Sequence, residues 1–499
     1  MEIVFAGTNI DSTIVEAIRK GELVDPAQVT PESVPAGYAR VSRSSKSVTE
    51  LREEARLDVA KARKSNQNIV FGMGHQSIAE HGNINFDILR ISRLAIEALE
   101  LHRIGVAYTE KSQRYVTMDK DYVTPQELND IPKNLAEKFH QNIQRSFELY
   151  KEAFPKLLEF YKEQNSGEAK KTLEGWAKED ARYILSMATE GQLGATFNFR
   201  ELEYIIRTMR YHPLAEVREM GEKFYRIGSR EAPSLIKLCD AKAFQEEFGT
   251  PLEEEFIRNF NNNLIKGSGK FRDLISVTPQ IGEVELLDYN KDGDYRVIAG
   301  LLSKGLDINY ASAYDLTLRL SKENKAEDYL LNVFRDLTEF DTLPREFELA
   351  DFTYKVVTSA TNFAQFKRQR MMTLLPGKYD PNLGYTIPES VSGTGLEGKF
   401  REELDKASEL FYEVQKLQKH NPYVAEYFLT NAHKRENIIK LNLRELYHFS
   451  RFREDKHAQW DIKYNTNEMV RLAKKVAPLT TMFLGGKHEF KQIKDSLYQ

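Results

Sequence analysis

The sequence contains almost no cysteine, no long apolar run and no excess of one charge. Cys239 is its single cysteine, which excludes an intramolecular disulfide and a cysteine-based zinc site and is typical of a reducing cytoplasm. No stretch approaches the roughly 20 apolar residues of a membrane span, and the N-terminal residues lack the basic start of a signal peptide. With 71 basic against 75 acidic residues, no large positive field would collect nucleic acid. We therefore expect a cytoplasmic protein without a membrane or nucleic-acid partner.

What the sequence does contain is an internal repeat. The segment Asn198–Leu202 (NFREL) recurs as Asn442–Leu446 (NLREL), and each is followed by an amphipathic helical pattern. Farther upstream, ELHRIGVAY resembles FKRQRMMTL and NINFDILRISR resembles DFTYKVVTSAT, in the same order. We therefore predict a tandem duplication, with a first copy in residues 1–240, a linker in 241–282 and a second copy in 283–499.

Hydrophobic patterning predicts long helices and short strands in each copy. Residues 83–91 alternate like a strand and run into a helical pattern over 92–103. Helical spacing also covers 48–66, 134–163 and 397–418, whereas the linker is typical of a short helix followed by a flexible segment. The predicted fold class is α+β, with each copy a small sheet covered by long helices.

A hydroxyl and a guanidinium lie in the loop after the helical pattern of the first copy. His102 and Arg103 end the predicted helix, and Ser112 and Arg114 follow in the loop. Both loop side chains can donate hydrogen bonds, and arginine does so bidentately, so the loop is suited to a phosphate. The structural alternative is that His102 and Arg103 only cap the helix C-terminus, where cations are favoured.

Two histidines and a glutamate precede the strand of the first copy and raise the question of a metal site. His75, Glu80 and His81 do not have HExxH spacing, and the two histidines do not share one helical face. We therefore predict no metal here, and a buried, hydrogen-bonded histidine pair instead.

A dense set of hydrogen-bond donors follows the second copy of the repeated segment. Asn442 and Glu445 have the spacing of a helix N-cap box. Arg444, His448 and Arg451 lie on or near the polar side of the same predicted helix, which is more than a solvated face requires. The set continues with Arg453, His457 and Gln459. The spacing alone does not identify what these donors bind.

Together these segments resemble the signatures of the flavin-dependent thymidylate synthases. That family carries Arg-His-Arg separated by seven or eight residues from a Ser, and here the eight residues IGVAYTEK separate Leu101-His102-Arg103 from Ser112, which Gln-Arg-Tyr follows. GHQSIAEH upstream and NLRELYHFSRFREDKHAQWDI in the second copy resemble the other two signatures. The family pattern is normally a single domain of half this length, so the chain resembles a fused and diverged pair.

The resemblance implies a reductive methylation. FAD is reduced by NADPH, methylenetetrahydrofolate supplies a one-carbon unit, and dUMP becomes dTMP without a cysteine nucleophile. Family members are homotetramers whose active sites combine several subunits, so two of these chains would form a homodimer equivalent to a pseudo-tetramer. Cys239 lies outside every signature, and we expect it to be a small buried side chain.

Residues that match the family's motifs are implied to share its roles. Arg453 matches the arginine that stabilises the ionised pyrimidine ring, and it is the predicted catalytic residue. The implied nucleotide ligands are Ser112, Gln113 and Arg114 of the first copy and Gln365, Arg368 and Arg453 of the second. The implied flavin contacts are Ser77, His102, Arg103, Glu110, Arg368, Arg370, Asn442, Arg444 and His448.

Each copy has lost a different part of this pattern. The second copy has MMTLLPGKY in place of the Ser112 loop, and Gln369, Asp341 and Phe347 in place of family histidines. The first copy has Ala98, Leu101 and Met209 where the second keeps Gln365, Arg368 and Arg453. The complementary losses predict one composite nucleotide site per chain, made from the loop of the first copy and the helices of the second.

One departure leaves the substrate open. The second copy has Glu426 at a nucleotide-binding position where the first keeps Arg182, and a carboxylate there would repel a phosphate. The predicted function is methylation of dUMP, with two alternatives. One is a flavin-dependent one-carbon transfer to a different pyrimidine or a related ring. The other is a non-catalytic subunit that binds flavin or nucleotide.

Overall fold

Each copy of the repeat forms one four-stranded antiparallel sheet in the computed structural model, which describes residues 1–249, 255–271, 282–417 and 422–499. The strands of the first copy are β1 (Glu2–Thr8), β2 (Asn83–Ser92), β3 (Val106–Glu110) and β4 (Glu190–Asn198). Those of the second copy are β5 (Val284–Tyr289), β6 (Asp351–Ser359), β7 (Thr373–Tyr379) and β8 (Lys434–Asn442).

Helices cover both sheets. Those of the first copy are α1 (Ser12–Arg19), α2 (Ser33–Ala39), α3 (Val48–Leu57), α4 (Val59–Asn66), α5 (Arg93–Glu100), α6 (Lys133–Gln164), α7 (Lys170–Ala181), α8 (Phe199–Met209) and α9 (Ala215–Glu231). Between the copies lie α10 (Ala241–Phe248) and α11 (Glu255–Gly269). Those of the second copy are α12 (Gly293–Leu306), α13 (Tyr310–Lys322), α14 (Ala326–Val333), α15 (Ala360–Phe366), α16 (Glu389–Gly393), α17 (Glu397–Leu417), α18 (Leu443–Arg453), α19 (Trp460–Val476) and α20 (Phe490–Leu497).

The two sheets have the same topology. Their strand orders are β1-β2-β4-β3 and β5-β6-β8-β7, and Asn83 pairs with Asn198 as Asp351 pairs with Asn442. In both copies a central strand runs directly into a short helix, β2 into α5 and β6 into α15. The predicted α+β fold with two tandem copies is therefore confirmed.

The repeated Asn-x-Arg-Glu segment begins the same helix in each copy. The Asn198 side chain accepts the backbone N–H of Glu201 at 2.8 Å at the start of α8, and Asn442 accepts that of Glu445 at 2.9 Å at the start of α18. Each asparagine thus satisfies a backbone donor that the first helical turn leaves without a partner. The predicted N-caps are confirmed.

The two copies pack face to face with reciprocal backbone contacts. The Met187 N–H donates to the Leu429 carbonyl and the Asn431 N–H donates to the Leu185 carbonyl, both at 2.8 Å. The long helices α6 and α17 pack together, and the Phe139 ring of α6 lies 4.9 Å from the ring of Phe428. This approximate two-fold arrangement brings β3 and the loop after it to α15 of the second copy. It likewise brings β7 of the second copy to α5 of the first.

Two predictions of local structure need correction. The helical pattern over 48–66 is two helices, because Asp58 leaves the helical conformation and its side chain caps α4 by accepting the Lys61 N–H at 2.9 Å. The predicted linker contains two helices, α10 and α11, rather than one. Parts of its predicted flexible segment, residues 250–254 and 272–281, lie outside the described residues.

The predicted buried histidine pair is wrong. His75 and His81 are both exposed, because the turn Gln76–His81 lies on the protein surface against α8. Glu80 pairs with Arg200 instead, and His81 packs edge-on against Tyr38 with ring centroids 4.8 Å apart. No helix in the described ranges is both long and apolar enough to cross a membrane.

Candidate active site between the two copies

A cavity of about 490 Å³ opens where the first copy's loop meets the second copy's helices, and we call it the composite cavity. It brings together eight of the predicted site residues: Arg103, Glu110, Ser112, Gln113, Arg114, Gln365, Arg368 and Arg453. Four further residues that carry the electrostatics of the site also line it: Arg93, Glu100, Tyr108 and Arg182. The two sequence segments predicted to form one composite site are therefore neighbours in space.

The loop side of the composite cavity begins where β3 ends at Glu110. The Ser112 hydroxyl accepts the Arg114 N–H at 3.2 Å, which turns the chain back at this point. The Gln113 side chain is buried, and its carbonyl accepts a hydrogen bond from the Asn431 amide of the second copy at 3.1 Å. Gln113 thus anchors the loop to the other copy, while Ser112 and Arg114 stay at the cavity wall.

The helix side is built by the end of α15 and the end of α18. The Gln365 amide nitrogen donates to Gln459 at 2.8 Å, and its carbonyl accepts from Arg453 at 3.3 Å. Gln459 in turn donates to the Tyr183 hydroxyl at 2.6 Å. Arg368 follows α15 and is half exposed at the rim. Gln365 therefore has a fixed orientation before any ligand arrives.

Positive charge is in excess along the cavity wall. Its lining includes six arginines but only two carboxylates, Glu100 and Glu110. Glu110 is paired with Arg93 at 2.9 Å. Burial, together with the Arg368 and Arg114 charges, lowers the pKa of Arg453 to about 10, so that its guanidinium is still cationic at neutral pH. Such a wall is suited to an anion.

Arg182 is a buried cation with unsatisfied hydrogen-bond donors at the wall of the composite cavity. It is 7% exposed, and two of its guanidinium nitrogens, Nε and Nη2, have no hydrogen-bond partner among the described residues. Its nearest carboxylate oxygen, on Glu179, is 3.9 Å away, and Glu179 is engaged by Arg114 at 2.8 Å. Burial raises the pKa of Glu179 to about 7, which reduces its negative charge near neutral pH and so weakens its attraction for Arg182. A buried donor of this kind is costly unless a ligand satisfies it.

The predicted flavin contacts of the first copy flank a second opening. Arg103 lines the composite cavity, while the next residues, Ile104 and Gly105, line a separate cavity of about 410 Å³ that we call the first-copy cavity. Asn198 and Arg200 line it as well. His102 turns toward α8, with Nδ1 3.5 Å from Glu201, and Ser77 is exposed in the turn Gln76–His81 beside this cavity.

The predicted flavin contacts of the second copy form a different group. Asn442 caps α18, and Arg444 donates to the Leu343 carbonyl at 2.7 Å and pairs with Glu348 at 2.9 Å. His448 is exposed, and Arg370 is exposed after α15. The imidazole ring is still partly covered by the protein, and this partial burial, with the Arg453 and Arg451 charges, lowers the pKa of His448. The nine predicted flavin contacts are thus divided between the two copies.

Sequence reasoning overlooked Asn198 and Arg200 as cavity residues. They occupy the repeat positions of Asn442 and Arg444, and the repeat itself was the signal that could have identified them. In the structure Asn198 both caps α8 and lines the first-copy cavity, whereas Arg200 lines the cavity without capping the helix.

Glu426 does not face the composite cavity, which corrects the expectation that it would oppose a phosphate there. It lines a third cavity, of about 210 Å³, together with Ala98, Leu101 and the β7 residues Pro376–Lys378. We call this the mirror cavity, because it is formed by the equivalent elements with the copies exchanged. Arg182, which holds the same repeat position in the first copy, lines the composite cavity instead. The objection to a phosphate ligand is therefore removed.

Metal ligands and a reactive thiol are not part of the described site. No cluster of three or more His, Cys, Asp or Glu side chains suited to a metal occurs in the part of the chain that the structure describes. Cys239 is fully buried, as expected, and burial raises the pKa of its thiol. A thiol that is buried and protonated is a poor nucleophile.

Several known proteins are similar to this chain over part or most of its length. A UPF0159 protein of Chlamydia pneumoniae is 22% identical over 439 residues, covering 85% of this chain and 81% of its own length. A flavin-dependent thymidylate synthase of Clostridium tetani is 30% identical over 213 residues, covering 42% of this chain and 81% of its own length. Among solved structures, a UMP/dUMP methylase PolB from Streptomyces cacaoi bound with 5-Br dUMP is 17% identical, with a TM-score of 0.33, over 49% of this chain and 94% of its own.

The family comparison covers both copies. The model of the Thy1 family, described as thymidylate synthase complementing protein, matches residues 22–234 and again residues 285–479. Because these two segments account for most of the sequence, the chain belongs to the Thy1 family, the flavin-dependent thymidylate synthases that its sequence motifs predicted.

Proposed function

We propose that this protein is a flavin-dependent thymidylate synthase that methylates dUMP at one composite site per chain. The observation that carries the proposal is the buried Arg182 guanidinium, which lacks a partner in the described structure and lines the same cavity as Ser112 and Arg114. A nucleotide phosphate would accept hydrogen bonds from all three side chains. Charge-assisted bonds of this kind are the strong ones, and here their donors would come from two segments that are distant in the sequence.

The pyrimidine ring would then lie toward Gln365 and Arg453. Gln365 is oriented by Gln459, so that its amide can read the ring edge without further ordering. Arg453 would stabilise the ionised pyrimidine ring during its attack on the one-carbon unit. Because the neighbouring Arg368 and Arg114 charges already crowd Arg453, an anionic ring at this position relieves their repulsion.

FAD would be held by residues of the composite cavity and of the first-copy cavity. His102 and Arg103 lie at the turn between them, and Asn198 and Arg200 line the far side at the start of α8, where backbone N–H groups favour an anionic group. Arg207, which lines the same cavity, has a buried Nε without a partner among the described residues. Bound FAD would supply the reducing equivalents, taken from NADPH, for the transfer of the one-carbon unit of methylenetetrahydrofolate to C5 of the ring.

The second-copy group keeps its own place in the proposal. Asn442, Arg444 and His448 remain predicted flavin contacts, as do Ser77 and Arg370. We further propose that two chains associate as a homodimer equivalent to a tetramer of single domains. Apolar side chains at Ile104, Tyr204, Met371 and Phe452 are exposed near these groups, and exposed apolar patches are typical of association surfaces.

The proposal is tested by tritium release from dUMP labelled at C5, in the presence of FAD, NADPH and methylenetetrahydrofolate. We expect the wild-type protein to release tritium because methylation at C5 replaces that hydrogen. We expect Arg182→Gln to raise KM for dUMP by about tenfold or more, since it removes a charge-assisted bond to the phosphate.

Glu426→Gln is the matched control, because Glu426 occupies the same repeat position in the second copy and faces the mirror cavity. It should leave KM and turnover unchanged. Absence of tritium release by wild-type protein that binds both FAD and dUMP would favour another acceptor ring. Absence of release and of both ligands would favour the non-catalytic alternative.

A further inference from the structure

The mirror cavity has lost each group that the composite cavity presents to a nucleotide. Where the composite cavity has Gln365, Arg368 and Arg182, the mirror cavity has Ala98, Leu101 and Glu426. An amide, a guanidinium and a second guanidinium are thus replaced by a methyl group, an isobutyl group and a carboxylate. The mirror cavity is also less than half as large, at about 210 Å³. It cannot hold the anionic ligand of its counterpart.

The one arginine at the mirror cavity is already engaged by the protein. The Arg435 guanidinium pairs with Glu97 at 2.6 Å and lies 3.5 Å from the ring centroid of Tyr379 and 4.3 Å from that of Phe363. The Lys378 ammonium lies 4.1 Å from the Tyr423 ring centroid, and burial lowers its pKa. With two carboxylates and two cations, the charges around the cavity sum to zero, which favours a neutral ligand.

Glu426 is only partly satisfied: its carboxylate accepts a hydrogen bond from the Tyr379 backbone, and the neighbouring Arg435 Nε also lacks a partner among the described residues. Glu426 is 6% exposed, it lines the mirror cavity, and its Oε1 has no hydrogen-bond partner among the described residues. Burial and the nearby Glu97 charge raise its pKa, and the Arg435 and Lys378 charges lower it again, to about 7. A buried carboxylate oxygen is normally paired with an N–H or O–H donor. No described residue donates to Oε1 of Glu426.

Apolar side chains form much of the remaining lining, beside the charged Glu97, Lys378 and Arg435. Leu94, Leu101, Leu214 and the Tyr423 ring line the cavity beside Glu426. His212 is neutral there, because burial lowers its pKa to about 4, and its Nδ1 accepts the Leu214 N–H at 3.1 Å. Walls of this composition enclose a planar ring and leave only its edge to meet the carboxylate.

We propose that the mirror cavity is a second ligand site, for a neutral heteroaromatic ring whose exocyclic amino group donates to Glu426. The ring carries no phosphate, so this ligand differs in class from the nucleotide of the composite cavity. Aminopyrimidines and pterins share the required edge, and they differ in size. This site does not rest on the proposed function, since it involves neither the nucleotide loop nor a catalytic step.

Calorimetric titration tests the proposal with two matched pairs of probes: cytosine with uracil, and pterin with lumazine. In each pair an exocyclic amino group is replaced by a carbonyl at the same ring position. We expect at least one amino-bearing ring to bind at one site per chain, and its carbonyl counterpart to bind at least about tenfold more weakly, because the exocyclic donor to Glu426 is lost. Binding of cytosine would indicate an aminopyrimidine as the ligand, and binding of pterin would indicate a pterin.

Glu426→Gln should reverse this preference, because an amide can donate to the carbonyl ring. A purely structural role of Glu426 would not change which ring is preferred. Ala98→Leu, which fills the cavity without touching Glu426, should weaken both members of a pair. Arg182→Gln should leave the binding of the amino ring unchanged. Failure of both amino rings to bind, equal binding within each pair, or a preference unaltered in Glu426→Gln would overturn the proposal.

Discussion

Arg453, the predicted catalytic residue, lies in an environment that its neighbours determine. Its guanidinium is largely buried at the end of α18, hydrogen-bonded to Gln365, and lies near the charges of Arg368 and Arg114. That environment lowers its pKa to about 10, yet leaves it cationic wherever the protein works near neutrality. A fixed, partly desolvated cation stabilises a developing anion better than a solvated one, because no solvent has to reorganise.

At this scale we expect Arg453→Ala to lower kcat about 10²- to 10³-fold, in line with the loss of one preorganised donor at a reacting centre. The measurement is steady-state turnover of dUMP, with kcat and KM determined separately. Met209 holds the repeat position of Arg453 in the first copy, but it is buried in the core. The control is therefore Met209→Leu, which keeps its volume. Undiminished turnover in Arg453→Ala would remove its assignment as the catalytic residue.

Among the elements, the two Tyr-containing turns Arg182–Ile184 and Pro422–Phe428 make reciprocal contacts across the copies. The Tyr183 hydroxyl donates to Asp461 at 2.8 Å, and the Tyr427 hydroxyl donates to Glu216 at 2.6 Å. Each carboxylate also accepts from the serine N-cap of the neighbouring short helix, Ser359 for Asp461 and Ser92 for Glu216. These contacts hold α15 and α5 in matching positions beside their cavities.

Only one of these two contacts reaches a predicted ligand group. Tyr183 also accepts from Gln459, which holds Gln365 in the composite cavity. We expect Tyr183→Phe and Tyr427→Phe each to lower the free energy of unfolding by about 1–3 kcal/mol. Only Tyr183→Phe should raise KM for dUMP, by about three- to tenfold, because it leaves Gln459 free to turn.

Urea unfolding and steady-state kinetics on both variants check this prediction. Ala98 occupies the position of Gln365 at the mirror cavity, so Tyr427 has no amide to orient there. An equal rise of KM in the two variants would mean that Tyr183 acts through general stability alone.

In the whole molecule, the two copies carry opposite charges at one position of the interface between them. Glu100 and Lys367 occupy the same repeat position and form a buried ion pair at 2.8 Å. Two first copies packed in this way would place Glu100 against Glu100, and two second copies would place Lys367 against Lys367. Like charges in a buried position are strongly unfavourable. The ion pair therefore favours pairing of a first copy with a second.

We expect Lys367→Met to destabilise the protein by about 3–5 kcal/mol, because it leaves the Glu100 carboxylate buried without its cation. Adding Glu100→Met should recover most of that loss, since replacing both members of a buried pair by apolar groups is often close to neutral. Chemical denaturation of the two single variants and the double variant measures the coupling. Additive losses would show that the two charges do not interact.

Much of this protein is readable from local sequence. The repeated Asn-x-Arg-Glu segments, the strand-to-helix patterns at 83–103 and the family motifs predict the α+β fold, the duplication and the family, because capping and periodicity act over a few residues. The complementary losses also predict that the Ser112 loop and Gln365 contribute to one site, and in the structure both line the composite cavity. The exposed position of His75 and His81 was not predicted, because burial depends on packing partners that a short motif does not contain.

What the tertiary structure alone decided is which member of each repeated pair faces which cavity. Arg182 and Glu426 hold the same repeat position, and only the packing of the two copies places the guanidinium beside Gln365 of the second copy and the carboxylate beside Ala98 of the first. The electrostatics of each cavity arise from residues that are hundreds of positions apart in the chain. Local pattern cannot encode such pairings, because they depend on the axis around which the two copies pack.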